Sequence, residues 1–93
     1  MNKTEACKVH IKRRFKERFG IDINRHDIRE LVSNIQSGDN IIREQRLTNR
    51  VTAFDMNFKN NHCVVIYDKI RKVPVTVLTA DMDIQQEGFD WRI

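Results

Sequence analysis

Proline occurs once and glycine three times in 93 residues. That scarcity leaves no room for a flexible Pro/Gly linker or a glycine-rich loop that cradles phosphates. The two cysteines, Cys7 and Cys63, cannot build a disulfide framework or a zinc site by themselves, and so few thiols point to a reduced, cytoplasmic location. The longest apolar run, Cys63 to Tyr67, is far short of a membrane span, so no membrane partner is expected. The N-terminus carries no apolar signal region, so export is not expected either. Aromatic residues make up 8% of the chain; Phe54 and Tyr67 have the character to stack on bases, but two rings are too few for a nucleic-acid platform. A chain this short holds one modest core, which excludes a two-domain enzyme and a large cofactor-binding α/β fold.

Several reactive constellations are missing as well. The histidines are His10, His26 and His62, and none stands four residues from another His or Cys as a helical metal pair requires. Carboxylates do not cluster as a two-metal nuclease needs; Asp81 and Asp83 alternate, but in the C-terminal tail. Ser33 and Ser37 fall on a predicted helix, with no Gly-x-Ser-x-Gly elbow around either. His62 and Cys63 are adjacent, yet in a strand they point to opposite faces. No cofactor and no metal is expected.

What the chain does have is positive charge, unevenly spread. Seventeen Lys and Arg face thirteen Asp and Glu, a net +4. Residues 1–18 hold Lys3, Lys8, Lys12, Arg13, Arg14, Lys16 and Arg18 against Glu5 and Glu17. Residues 81–93 hold Asp81, Asp83, Glu87 and Asp90 against Arg92. Such polarity fits either a solvated basic helix with a loose acidic tail or an anion-binding surface on the first helix. A tail that folds back to mask that surface is a third arrangement.

The hydrophobic pattern predicts an α+β domain over residues 1–80, followed by an acidic tail over 81–93. Cys7, Ile11, Phe15 and Phe19 recur every fourth residue, which predicts a helix from Thr4 to Phe19 ended by Gly20. Asn24 with Asp27 three residues on resembles a capping box. Ile28, Leu31, Val32 and Ile35 then give a second amphipathic helix to about Gln36, closed by Ser37-Gly38. After Gly38 the period becomes two. Strands are predicted at 40–46 (polar, hence an edge), 50–58, 62–67 (β-branched, hence central) and 73–80. Lys59-Asn60-Asn61 reads as a hairpin turn, and Pro74 belongs near a strand start or on an edge. The expected architecture is two N-terminal helices packed on one face of a four-stranded antiparallel sheet, with the other face available.

His10, Arg14 and Arg18 form a ridge beside the apolar ridge of the first helix. A His flanked by Arg forks suits a phosphate group. In the ordinary alternative His10 is exposed, while Arg14 and Arg18 pair with acids such as Glu17 or Asp22 and cover apolar surface with their stems. On the sheet, Arg50, Tyr67, Thr76 and Thr79 are the candidate polar groups. Alternation puts Val75 and Val77 toward the helices and leaves Thr76 exposed or on the open face.

The stretch from His10 to Ile21, HIKRRFKERFGI, resembles the first helix of small RelE-type domains. Cys63–Asp68 (CVVIYD) and Val75–Thr79 (VTVLT) resemble the last two strands of that group, the barnase/colicin/RelE-like ribonuclease fold. The resemblance spans about residues 8–80. It implies metal-independent RNA cleavage, in which a ribose 2′-OH attacks the neighbouring phosphate. On that reading His10 is the acid or base, Arg14, Arg18 and Arg50 hold the phosphate, and Thr76 donates a hydrogen bond. The second proton-transfer group has no candidate, and the polar first strand and the acidic tail depart from the pattern.

The expectation is therefore a RelE-like domain that binds RNA, or binds and cleaves it as a toxin-type ribonuclease, with RNA or an antitoxin as partner. The alternative is a non-catalytic phage- or plasmid-borne inhibitor of a host or rival protein. It would dock through a sheet face, an edge strand, or the tail with Phe89 and Trp91. Either fits a monomer or a homodimer. A helix-turn-helix reading is weak, since Arg25, Arg29 and Asn34 share the second helix with Asp27 and Glu30.

Overall fold

A computed structural model describes residues 2–82 of the chain. Helix α1 spans Lys3–Phe19 and α2 spans Arg25–Ser37; strands β1 Ile41–Arg46, β2 Val51–Phe58, β3 Asn61–Asp68 and β4 Val73–Thr79 follow. The strands form one antiparallel sheet in the order β1-β2-β3-β4. The class is α+β, as expected. The tail residues given a role above, Asp83, Glu87, Phe89, Asp90 and Trp91, lie outside the described residues.

Both helices begin and end on side-chain and backbone caps. The Asn2 carboxamide oxygen accepts the Glu5 N–H at 2.8 Å. Asn24 and Asp27 exchange side-chain-to-backbone bonds, each at 2.9 Å, completing the capping box and satisfying amide groups that the first helical turn leaves without partners. Gly20 (φ 69°) and Gly38 (φ 82°) close the two helices in the left-handed region, which glycine enters without a Cβ penalty. Cys7, Ile11 and Phe15 are buried along α1, and Ile28, Leu31 and Ile35 along α2.

Thr52, Phe54, Met56 and Phe58 of β2 lie opposite Tyr67, Val65, Cys63 and Asn61 of β3. The apolar members of this face pack with Ile11 and Phe15 of α1 and with Ile28, Leu31 and Ile35 of α2 into the main core. The β2–β3 turn takes two residues, Lys59 (φ 50°) and Asn60 (φ 64°), rather than three. Both are left-handed, as a tight hairpin that matches strand twist requires. Lys59 Nζ reaches back 2.9 Å to Asp27, tying the hairpin to the start of α2. That contact and the Asn24 amide hold the Asp27 carboxyl below its usual range.

The far face departs from expectation. It is not open: Val51, Ala53, Ile66, Val73, Val75 and Leu78 form a second buried cluster, with Cys7, Leu47 and Met82 packed on it. Val75 joins this cluster instead of the helix face because the ladder shifts between Ile66 and Tyr67. Ile66 faces Thr76 and Tyr67 faces Pro74, which leaves Val75 as the extra residue of a bulge. Thr76 is fully buried rather than exposed.

The two sheet edges are treated differently. The outer side of β4 is covered by α1, and Arg18 donates to the Val77 carbonyl at 2.6 Å. Covering an edge this way removes a template for further strand pairing. The edge at β1 is guarded by charge and irregularity: it is exposed from Ile42 to Arg46, and a register shift falls at Ile42.

Candidate functional site

The residues expected to share a phosphate are each engaged within the fold. His10 is buried, 8% exposed, rather than displayed on the helix surface. Arg14 donates to Glu17 at 2.6 Å, one of the pairings that the ordinary reading of the ridge named. Asp22, the other acid named, binds Lys16 at 3.1 Å. Arg18 is committed to the Val77 carbonyl, and Thr76 lies inside the second layer of packing.

Arg50 belongs to a separate cluster. It approaches the Asp68 carboxylate at 3.1 Å, and Arg71 approaches the same group at 3.3 Å. Asp68 also accepts the Ile70 and Arg71 amides at 2.9 and 3.0 Å. Burial pushes this carboxyl upward, but the Arg71 amide, the Arg50 side chain and the Ile70 amide outweigh it and leave the group below its ordinary value. Asp68 pairs with Val73 at the start of β4, whereas Arg18 sits on Val77. Four strand residues separate these anchor points, about 13 Å. Arg50 and Arg18 are therefore anchored at different points along β4, each on its own partner.

The remaining reactive groups are equally structural. Cys63 lies on the helix face and His62 on the other, as strand alternation dictates. Burial, with help from Asp55, pushes the Cys63 thiol up to about 12, and burial next to Asp68 raises Cys7. Both thiols are buried, and burial favours their protonated form. Phe54 and Tyr67 contact each other edge to face at 6.0 Å inside the core, which removes both as base-stacking platforms. His62 contacts Asp55 through its Nε2, and Arg43 lies 3.8 Å from the same carboxylate. Among the described residues no group of three or more His, Cys, Asp or Glu side chains is placed to hold a metal ion. No described helix is long and apolar enough to cross a membrane.

A different surface gathers five cations that lie outside the ion pairs of the described residues. A cleft of about 590 Å³ runs between α1 and α2. Lys8 and Lys12 stand on its α1 wall, Arg25 and Arg29 on its α2 wall, and Lys72 at the β3–β4 turn; Glu5 is the one carboxylate in its lining. Its floor is aliphatic, from Val9, Ile28, Val32 and Val73. The ion pairs among the described residues fall elsewhere, on Arg14, Lys16, Arg43, Arg50, Lys59, His62 and Arg71. Among the described residues, no carboxylate forms an ion pair with the five cleft cations.

Two of them oppose helix electrostatics. Arg25 opens α2 and Arg29 follows one turn later, at the end where the macrodipole already places partial positive charge. Cations there cost helix stability and raise the local positive potential, which suits an incoming anion.

Reading the sequence alone missed this arrangement. Lys8 and Lys12 form an i, i+4 pair on α1, and Arg25 and Arg29 another on α2. Each pair resembles an ordinary solvated ridge. What makes them one site is the packing of α1 beside α2, and no residue spacing within either helix encodes that. No protein-family model, no curated protein and no solved structure matches this chain.

Proposed function

We propose that this chain is an RNA-binding domain that holds the phosphate backbone in the α1–α2 cleft and does not cut it. The observation that carries this reading is the convergence of Lys8, Lys12, Arg25, Arg29 and Lys72 on one concave surface, outside the ion-pair network of the described residues. Phosphate neutralisation with release of counterions is the main source of sequence-independent nucleic-acid affinity. Ser33 and Gln36 stand among the cations as uncharged polar groups, suited to a ribose 2′-OH, which DNA lacks. The resemblance of the His10–Ile21 stretch to RelE-type domains favours the same ligand class. Cleavage loses its support because Arg18, Arg50 and Arg14 are committed to Val77, Asp68 and Glu17.

The test is anisotropy with labelled RNA in EDTA, followed by gel analysis of the same RNA. The expected result is micromolar binding, as for contacts dominated by phosphates, binding weakened about ten-fold in a Lys12→Ala, Arg29→Ala double variant, and intact RNA throughout. RNA cut by the wild-type protein and spared by His10→Ala would restore the nuclease reading.

One observation favours a second reading, docking of a protein partner. Among the described residues the outer edge of β1 is not paired, and Ile42 on it is 57% exposed. An extended segment could add there as a fifth strand. A stoichiometric protein partner that survives nuclease treatment and is lost on Ile42→Lys would support this reading over RNA.

A further inference from the structure

The α1–α2 cleft does not end at the second helix's last turn. A second cleft of about 460 Å³ lies at the C-terminal end of α2, against β1 and the end of β3. Gln36 and Lys72 line both clefts, so the two join at these residues. The second cleft adds Lys69 and the Tyr67 side chain, whose hydroxyl accepts a hydrogen bond from the Gln36 carboxamide at 3.3 Å. Glu44 also lines this second cleft, a carboxylate where a phosphate path would stop.

From this continuity we infer that the ligand is a single strand of RNA, about four to six nucleotides long, lying along α2 from Arg25 toward Gly38. The inference rests on the RNA-binding reading and narrows it. Helix α2 has 13 residues, about 20 Å at the helical rise, which matches about six stacked nucleotides. Cations stand on both walls, so a strand inside the trough is contacted from two sides. Each cleft has the volume of a small-ligand site, about 300–1,000 Å³. That accommodates individual nucleotides and cannot admit a double helix, which would meet only the rim. The floor of the first cleft is aliphatic, and the two rings that border the second, Phe54 and Tyr67, are buried against each other, so recognition runs through backbone and sugar and discriminates weakly among bases.

The experiment uses the full chain with labelled RNAs of three, six and twelve nucleotides, and a twelve-base-pair RNA duplex, all at one salt concentration. The expected result is affinity that climbs from three to six nucleotides and then flattens, and a single strand bound about ten-fold tighter than the duplex. A Lys69→Ala, Lys72→Ala variant, checked for fold by circular dichroism, should lower six-nucleotide binding toward the three-nucleotide level. Duplex binding equal to or tighter than single-strand binding overturns this inference while leaving RNA binding intact. If no RNA binds and an acidic peptide does, the RNA-binding reading itself falls.

Discussion

Helix α1 carries two polar ridges with opposite fates. Along His10, Arg14 and Arg18 the side chains turn toward the fold: His10 is buried, Arg14 takes Glu17, and Arg18 caps the open side of β4. Along Lys8 and Lys12 they turn toward α2 and line a cleft. Both ridges are basic, both repeat at four residues, and they flank the buried Cys7–Ile11–Phe15 ridge from opposite sides of the same helix. The first serves the architecture, as edge protection and as a seam to the sheet. The second is electrostatically unspent. Formal charge therefore says little about which cations can meet a ligand; what matters is which of them the fold has already satisfied.

The largest expected effect sharpens the structural side of this contrast. Asp68→Ala leaves Arg50, Arg71 and two turn amides without their common acceptor, in a site where Asp68 is 4% exposed. Urea denaturation should show a loss of about 3–5 kcal/mol.

Reversing charge in the cleft probes the other side. Lys12→Glu with Arg29→Glu should weaken RNA binding by about a hundred-fold at low salt. Both residues are exposed, so the denaturation midpoint should move little. A large stability loss with unchanged binding would erase the distinction between the two ridges.

Acid should act on the two buried carboxylates, Asp68 and Asp27, before the cleft. The Asp68 and Asp27 carboxyls are held below their ordinary values in the folded chain. Their contribution is present above the unfolded carboxylate range, about pH 4, and is lost as pH falls through the depressed folded values. Asp68→Asn should flatten the acid limb of a stability–pH curve, and an unchanged limb would show that Asp68 is not its source.

A smaller loss belongs to Gly38→Ala. No atom lies within 4 Å of the added Cβ, and φ is +82°. Only backbone strain acts, so thermal unfolding should report a cost of about 1 kcal/mol. The smallest change is in the cleft: Glu5→Gln removes its one carboxylate and should tighten RNA binding about two- to five-fold, read by anisotropy.

Most of the fold was legible because its signals are local. Ile11 and Phe15 follow the helical period, Asn24 and Asp27 sit at capping-box spacing, and Phe54, Met56 and Phe58 alternate; each requirement acts over a few residues. The polar character of residues 40–46 likewise identified an edge strand. The departures have non-local causes. Val75 left its expected face because of a bulge against Ile66 and Tyr67, which alternation within β4 cannot reveal. Thr76 and Ile66 are buried on a face expected to be open, where Leu47 and Met82, far apart in sequence, also pack against the Ile66 cluster. The candidate site was the least legible part. Spacing located the His10–Arg18 ridge correctly on α1 and offered Glu17 as a partner, but not the Val77 carbonyl that takes Arg18. The cleft exists only once α1 and α2 lie side by side.

The central claim is that the cleft cations, and not the buried ridge, meet the phosphates. Its most direct test is the slope of log affinity for single-stranded RNA against log salt concentration in three proteins. The wild-type slope should be about −3.5, for five phosphates neutralised. It should become shallower by about 1.4 in Lys12→Ala, Arg29→Ala, and should not change in Arg14→Gln. A slope that moves with Arg14 and ignores Lys12 and Arg29 would contradict the account.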